Sequence, residues 1–445
     1  KFAANTGAGH YIRINGSNKT TLSGSGRYVF EDITSALGGS TFSSIGATSG
    51  SSGGPELWSV RVNGELLLDP GNHVANNGFH LNFSDSSTNE ALGFDSAPTI
   101  PDADPKKGMD VITYSGNGGT QNIGGLNFEP GLVWIKSRSN GNEGHYLYDS
   151  VRGANKPLYS HATAAEGSST NQLNTFNPDG FTLGSNSAVN SSSHTFVAWT
   201  WRAGGPAVSN TDGTITSQVS ANTDYGFSIV SYTGNGTAGA TIGHGLSQTP
   251  KWILLKSRDS QTSNSSWTVH HTSVAATKTL YLNTTDVAST SGSWNDTAPG
   301  SSVFTVGAAQ VVNTNAKDYI AYCWSEVSGY SKFSSYTGNG STTGPVVTTG
   351  FKVRWLLIKS STVAGAGWYL WDSERDTDNP RDKVLRPDTS DAEVSGSGYN
   401  INFNDDGFQV VSTADSWNKN GDTFLYMAFA DRPGNNWDVN NIVTN

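Results

Sequence analysis

The sequence predicts an all-β protein built from tandem β-sandwich domains of a jelly-roll or lectin-like kind. The composition and one internal repeat support this prediction. Glycine accounts for 52 residues, charged residues make up only 14%, and aromatic residues reach 11% with 13 tryptophans. A disordered chain would carry more charge and fewer aromatic residues. Many short strands joined by polar, glycine-rich turns fit this composition, and no long run has the period of an amphipathic helix.

One aromatic and glycine-rich phrase occurs three times, as YSGNG from Tyr114 and as YTGNG from Tyr232 and Tyr336. At similar distances, each copy is followed by an apolar segment ending in lysine (VWIK, WILLK and WLLIK) and then by a closing segment (FVAWTW, YIAYCW and FLYMAF). A constant order with small changes in length is typical of repeated domains with variable loops.

Each repeated phrase has the chemistry of a strand or a turn. FSIVSY alternates apolar and small polar residues, as a strand with one buried face does. TGNG favours a turn because glycine and asparagine tolerate a positive φ. The segments ending in lysine are apolar throughout, so we expect their tryptophans, Trp134, Trp252 and Trp355, to be buried. The repeated tyrosines are interpreted as core residues and not as ligand platforms.

The first hundred residues lack this repeat but contain a clear hairpin signal, in which Asn63-Gly64 separates two alternating strands in WSVRVNGELLLD. The proline- and charge-rich stretch PTIPDADPKKG (98–108) is typical of a linker. We therefore divide the chain into an N-terminal β-sandwich module (1–105), repeat module 1 (109–205), a linker (206–225), repeat module 2 (226–331), repeat module 3 (332–433) and a C-terminal extension (434–445).

Charge and cysteine content argue against several classes of function. A net charge of −10 does not favour a nucleic-acid groove, and no apolar run is long enough for membrane insertion. The single cysteine, Cys323, excludes an intrachain disulfide framework and is interpreted as a buried apolar residue. The chain starts at Lys1 and not at a methionine, which suggests processing or an internal start.

Two groups of residues are candidates for chemical sites. The segment WDSERDTDNPRDK offers Asp372, Glu374, Asp376, Asp378 and Asp382, but it also carries Arg375, Arg381 and Lys383. Alternating charge of this kind favours a solvated, paired loop over a glycosidase acid pair. His270 and His271 are neighbours in a predicted strand and should point to opposite faces, so they cannot easily share a metal ion. We expect no enzyme activity, no catalytic or metal site and no cofactor; ligand-binding residues cannot be assigned.

Several phrases together resemble modules in tail fibre-like and other structural virion proteins of marine tailed phages, including those that infect cyanobacteria. These phrases are WSVRVNGELLLDPG, GFHLNFSDSS, GLVWIKSR, FNPDGFTLG, FVAWTWRAG and FLYMAFADRP. The resemblance is closest in module 1 and weaker in module 2, where GSSVF replaces NPDGF. It implies a virion location and a lectin-like β-sandwich context, and it carries no catalytic residues.

The sequence therefore predicts a structural virion appendage, a tail fibre or similar protein, that contacts the host surface through its β-modules. The alternatives are a capsid-decorating fibre or cement protein, a polysaccharide-degrading tailspike and a bacterial adhesin. The expected partners are other copies of the chain, other virion proteins and host surface glycans. Because strand edges are normally covered in natural proteins, we expect self-association, with a trimer favoured and the modules strung along a fibre.

Overall fold

The structure is a computed structural model that describes residues 104–262 and 265–431 in full. For the rest of the chain it describes only the backbone of strands between residues 2 and 82 and the end of the last strand at 432–433. The residues fall into two compact units, 1–97 and 98–445, and each is considered separately below. Antiparallel sheets dominate both units, which confirms the predicted all-β class.

The first unit contains two four-stranded sheets with the orders β4-β1-β6-β7 and β3-β2-β5-β8. Their strands are β1 (Phe2–Ala4), β2 (His10–Ile14), β3 (Ser17–Thr21), β4 (Val29–Glu31), β5 (Ser44–Ser49), β6 (Leu57–Val62), β7 (Glu65–Leu67) and β8 (Leu81–Asn82). Val62 pairs with Glu65 across Asn63-Gly64, so the predicted two-residue hairpin is confirmed.

The second unit contains the three repeats, each of which folds into a large sheet, a small sheet and a one-turn helix. Module 1 contains β9 (Met109–Ser115), β10 (Gln121–Gly124), β11 (Leu132–Ser137), β12 (His145–Asp149), β13 (Leu158–Tyr159), β14 (Leu173–Asn177), β15 (Gly180–Leu183), α1 (Ser187–Asn190) and β16 (Thr195–Trp201). The second module follows after β17 (Val208–Asn210) and β18 (Ser217–Asn222).

Module 2 contains β19 (Phe227–Thr233), β20 (Ala240–Gly243), β21 (Trp252–Ser257), β22 (Thr268–His271), β23 (Lys278–Tyr281), β24 (Ser289–Thr290), β25 (Val303–Val306), α2 (Gln310–Asn313) and β26 (Asp318–Trp324). Module 3 contains β27 (Ser331–Thr337), β28 (Val346–Thr348), β29 (Phe351–Ser360), β30 (Trp368–Asp372), β31 (Ile401–Asn404), β32 (Gly407–Val410), α3 (Asp415–Asn418) and β33 (Thr423–Pro433). Among the described residues, short 3₁₀ turns lie at Pro105–Lys107, Gly292–Trp294 and Ser397–Tyr399.

The large sheets of the three modules have the same strand order. In module 1 the order is β9-β16-β11-β12-β13, in module 2 it is β19-β26-β21-β22-β23, and in module 3 it is β27-β33-β29-β30. The pairing register is also the same, because Lys136, Lys256 and Lys359 each pair with the second apolar residue of the closing strand. Residues at matching places in the three modules are therefore called equivalent below.

The repeated glycine-rich phrase forms a loop that is tied to the short helix. In module 3, the backbone N–H of Asn339 donates to the side chain of Asn418, and the amide of Asn418 donates back to Asn339 and to the carbonyl of Ser341. The hydroxyl of Tyr336 donates to the carbonyl of Trp417 at 2.6 Å. Modules 1 and 2 repeat these contacts. Thus the phrase is a structural element that connects strand, loop and helix.

Residues 206–225 are not a linker. Strands β17 and β18 within this segment extend the large sheet of module 2, and β18 pairs along its whole length with β19. The segment 98–108 is partly described, and Pro105–Lys107 forms a 3₁₀ turn capped by Asp104. Lys106 in this turn lies 3.4 Å from the carboxylate of Asp431, so the end of this predicted linker is packed within the second unit. The predicted extension at 434–445 lies outside the described residues.

One aromatic core joins the three modules. Trp201 of module 1 makes edge-to-face contacts with Trp324 of module 2 and with Trp355 and Phe429 of module 3, at centroid distances of 5.5–5.9 Å. The predicted burial of the repeated tryptophans is confirmed, because Trp134, Trp252 and Trp355 are 3%, 2% and 0% exposed. The modules therefore surround a shared core, which differs from the expected linear string of modules.

Candidate functional site

The acidic segment of module 3 does not form a cluster of free carboxylates. Asp372 and Arg375 form a fully buried ion pair with a Nε–Oδ2 distance of 2.5 Å. Glu374 lies 3.2 Å from Arg354, and Asp376 accepts hydrogen bonds from the backbone of Asp382. The predicted pairing of this loop is confirmed, but the burial of Asp372 was not expected.

The buried pair belongs to a contact between modules 3 and 1, here called seam 3–1. The indole N–H of Trp199 in module 1 donates to Asp372 at 2.9 Å. Glu393 of module 3 binds both Arg375 and Arg138, the latter at 2.8 Å. Burial disfavours the charged form of Asp372, but the Arg375 guanidinium, the Trp199 indole and the Arg375 backbone N–H together outweigh this and lower the pKa of the carboxyl.

The contact between modules 1 and 2, seam 1–2, repeats this network with equivalent residues. Asp149 and Arg152 form the buried pair at 2.5 Å. The hydroxyl of Tyr322 in module 2 donates to Asp149 at 2.7 Å, in the place that Trp199 takes in seam 3–1. Glu166 binds Arg152 and also Arg258 of module 2. Sequence reasoning missed this network, although the shared pattern Asp-Ser-x-Arg in DSVR and DSER was a visible signal.

The third contact, seam 2–3, has the same backbone geometry without the charges. The N–H of Ala288 donates to the carbonyl of Ser361 at 3.2 Å. The equivalent bonds of the other seams, from Glu166 and Glu393, are 2.8 Å long. His271 and Val274 take the places of the Asp-Arg pair, and the neutral pair Ala288 and Ser361 takes the place of the Glu-Arg pair. Three cyclic contacts therefore close the modules into a ring, with two charged seams and one neutral seam.

Buried lysines add to the same contacts. The ammonium groups of Lys256 and Lys359 donate to carbonyls of the preceding module, at Thr163 and Thr285, with distances of 3.1 and 3.4 Å. Burial lowers the pKa of Lys256 to about 7 and that of Lys359 to about 8. Because their donors are used by backbone carbonyls, these lysines act as polar ties between modules.

The two adjacent histidines lie on opposite faces of their strand, as predicted. His270 packs edge-on against Trp294, and His271 packs edge-on against Trp252, which belongs to a different hydrophobic cluster. Among the fully described residues, no group of three or more His, Cys, Asp or Glu side chains could hold a metal ion. Cys323 is buried as expected, and burial raises the pKa of its thiol.

A surface cleft of about 900 Å³ lies where module 1 meets the segment that leads into module 2. Its walls come from the loop around Gly131, the strand end at Phe176, the loop 202–206 and the turn 221–224. The glycine loop is closely fitted, because a Cβ at Gly204 would lie 2.0 Å from the carbonyl oxygen of Ala221. The hydroxyl of Ser220 also holds Gly205 with a 2.6 Å hydrogen bond.

Several polar side chains in this cleft are exposed and make no hydrogen bond or ion pair with the described residues. Arg202 is the one arginine, of those with described side chains, that makes no side-chain hydrogen bond or ion pair. Within the described part of the chain, the side chains of Glu129, Ser150, Thr223 and Asp224 also lack such partners. Because Arg202 shares one cleft with two carboxylates, an aromatic ring and several hydroxyl groups, this cleft is the best candidate for a binding site.

Together, the sheets and the seams define a class of all-β protein in which three sandwich-like modules close around one core. A family model described as a domain of unknown function, DUF7483, matches residues 104–433, and the chain therefore belongs to this family. The match covers the whole ring of three modules, so the ring corresponds to a single family domain. No curated protein and no solved structure matches the chain. In the described part of the chain, no helix is long and apolar enough to cross a membrane.

Proposed function

We propose that the protein is a structural component of a virion, an appendage such as a tail fibre, and that its β-modules contact the host surface. The resemblance to marine phage virion modules motivates this proposal. The structural observation that supports it is the closure of three modules into one body by buried contacts. Asp149 and Asp372 are each held by an arginine and a neighbouring module, so their chemistry serves assembly.

Protein particles outside cells need a stabiliser, and this chain has no disulfide framework. The shared aromatic core provides one, because Trp201, Trp324, Trp355 and Phe429 each bury a large apolar surface. The buried ion pairs fix the relative placement of the modules. A body of this kind presents its loops to the outside while its interior stays unchanged, which suits attachment and recognition.

A capsid-decorating protein is the second candidate, and ring closure within a single chain is equally compatible with it. The three modules cover one another's inner faces within a single chain, so the ring does not need other copies for this purpose. Association into a trimer remains a prediction. A mass measurement at micromolar concentration tests it, and a trimer would favour the fibre.

The position on the particle tests the proposed function. Antibodies raised against residues 104–433 should label the tail or its fibres on particles of the encoding phage, and the purified protein should compete with particle adsorption to host cells. Labelling of the head without such competition would support the decorating protein instead. No labelling of the particle would contradict both candidates.

A further inference from the structure

The cleft is built by a segment that ring closure does not require. Between modules 2 and 3, the chain passes directly from the end of β26 at Trp324 to the start of β27 at Ser331. Between modules 1 and 2, it passes from Trp201 to Phe227 and forms the β17–β18 hairpin on the way. The short connection is enough to join two modules, so the longer one is available for another task.

One aromatic ring in the cleft, Phe176 of module 1, is less covered than the equivalent ring of module 3. Phe176 and Phe403 are equivalent, since they precede the turns NPDG and NDDG and pair with Phe181 and Phe408. Phe403 is 2% exposed, and the guanidinium of Arg381 lies over its ring at 4.6 Å. Phe176 is only partly buried and lines the cleft. The equivalent loop of module 1, from Arg152 to Leu158, is four residues shorter than the loop from Arg375 to Leu385 and has no arginine at the place of Arg381, so it provides no guanidinium to cover Phe176.

The chemistry of the cleft indicates the class of ligand. It offers an aromatic ring, two carboxylates, one guanidinium and several hydroxyl groups. Carboxylates and guanidinium groups make paired hydrogen bonds to neighbouring hydroxyls, and an aromatic ring packs against an apolar CH surface. A phosphate ligand is disfavoured, because Glu129 and Asp224 outnumber Arg202. A volume of about 900 Å³ is in the range of small-ligand sites.

We propose that this cleft binds a short segment of a polyhydroxylated saccharide, with Phe176 under a sugar ring and with Arg202, Glu129 and Asp224 bound to its hydroxyls. The proposal rests on the proposed host-surface function and adds the site and the ligand class to it.

The test uses the full chain on an array of defined neutral and uronic-acid-containing oligosaccharides, followed by titration calorimetry with the best-bound sugar. Arg202→Met and Phe176→Ala should each weaken binding at least tenfold, and Glu129→Gln should weaken it several-fold. Lys278→Met removes an exposed cation that does not line the cleft, so it should bind like the wild type. Arg202 is exposed, so the melting temperature of Arg202→Met should not change; this separates lost binding from misfolding.

Three results would overturn the proposal: no sugar on the array is bound, the cleft variants bind as well as the wild type, or inorganic polyphosphate binds better than any sugar. A parallel assay of protein binding to host cells separates this failure from that of the proposed function. If the cleft variants bind cells like the wild type, the saccharide site is wrong and the appendage function stands. If the wild type binds sugars but does not bind host cells, and antibodies against it label no particle, the proposed function is wrong and the saccharide site stands.

Discussion

Removing Arg375 should destabilise the ring far more than removing an exposed lysine. The Arg375 side chain is fully buried and donates to Asp372 at 2.5 Å, to Glu393 at 2.9 Å and to the carbonyl of Leu370 at 3.0 Å. Arg375→Met leaves Asp372 as a buried carboxylate with only the indole of Trp199 and a backbone N–H as donors. Breaking a buried pair from one side costs about 3–5 kcal/mol.

Removing both charges together should cost much less. In Asp372→Asn/Arg375→Met, the amide oxygen of the new asparagine still accepts from Trp199, and no unpaired charge remains. Replacing both members of a buried ion pair is often nearly neutral, so we expect a coupling of about 2–3 kcal/mol between the two changes. Seam 2–3 already has this character, with His271 and Val274 at the equivalent positions.

Urea denaturation followed by tryptophan fluorescence measures these differences in the free energy of unfolding. Lys419→Met is the matched control, because Lys419 is 48% exposed in its pair with Asp422 and its loss should cost less than about 0.5 kcal/mol. The reasoning is refuted if Arg375→Met costs less than about 1 kcal/mol, or if the double variant is as unstable as the single one.

Three further predictions concern acid stability, the repeated loops and catalysis. Burial lowers the pKa of His270 to about 4 and of His271 to about 3, so below pH 6.5 the unfolded chain binds more protons than the folded one. Lowering the pH from 6.5 to 5 should therefore cost about 3 kcal/mol of unfolding free energy through these two histidines. A denaturation series that stays flat over this range would contradict this. Asn418→Ala removes buried hydrogen bonds to Asn339, Ser341 and Ser412 and should cost about 2–3 kcal/mol; unchanged amide hydrogen exchange at 339–341 would argue against the loop–helix tie. Incubation with host capsule or lipopolysaccharide should release no reducing sugar, and release that is abolished by Asp372→Asn would show that the prediction is wrong.

The strands and turns of the fold could be predicted because each depends on residues that are close together in the sequence. The apolar segments ending in lysine and the Asn63-Gly64 hairpin depend on the residues themselves and on their immediate neighbours. Strand β18 was missed because small polar residues hide its pattern: Ser217 and Ser220 are buried although their side chains are polar. A segment of this composition is equally typical of a flexible linker.

The seams and the cleft could not be predicted because they join residues that are distant in the chain. Asp372 and Trp199 lie in different modules, and nothing near either residue indicates the other. The only sequence signal was the Asp-Ser-x-Arg pattern, which occurs in modules 1 and 3 and is absent from module 2. It becomes visible when the three modules are aligned and their acidic residues are compared position by position. Likewise, the exposure of Phe176 becomes meaningful only after comparison with the covered Phe403.

The distribution of charge among the seams fixes the order of the modules. Glu166 of module 1 binds Arg258 of module 2, and Glu393 of module 3 binds Arg138 of module 1. Module 2 presents Ala288 and module 3 receives it with Ser361. If modules 2 and 3 exchanged places, Glu166 would face a serine and Arg138 would face an alanine. Glu166 would then lose its bond to Arg258, and Arg138 would lose its bond to Glu393. Leaving charges without their partners at such contacts costs several kcal/mol. Seam 2–3 therefore contributes to specifying the arrangement, because Ala288 and Ser361 leave no charge at the positions where the other two seams hold a Glu–Arg pair.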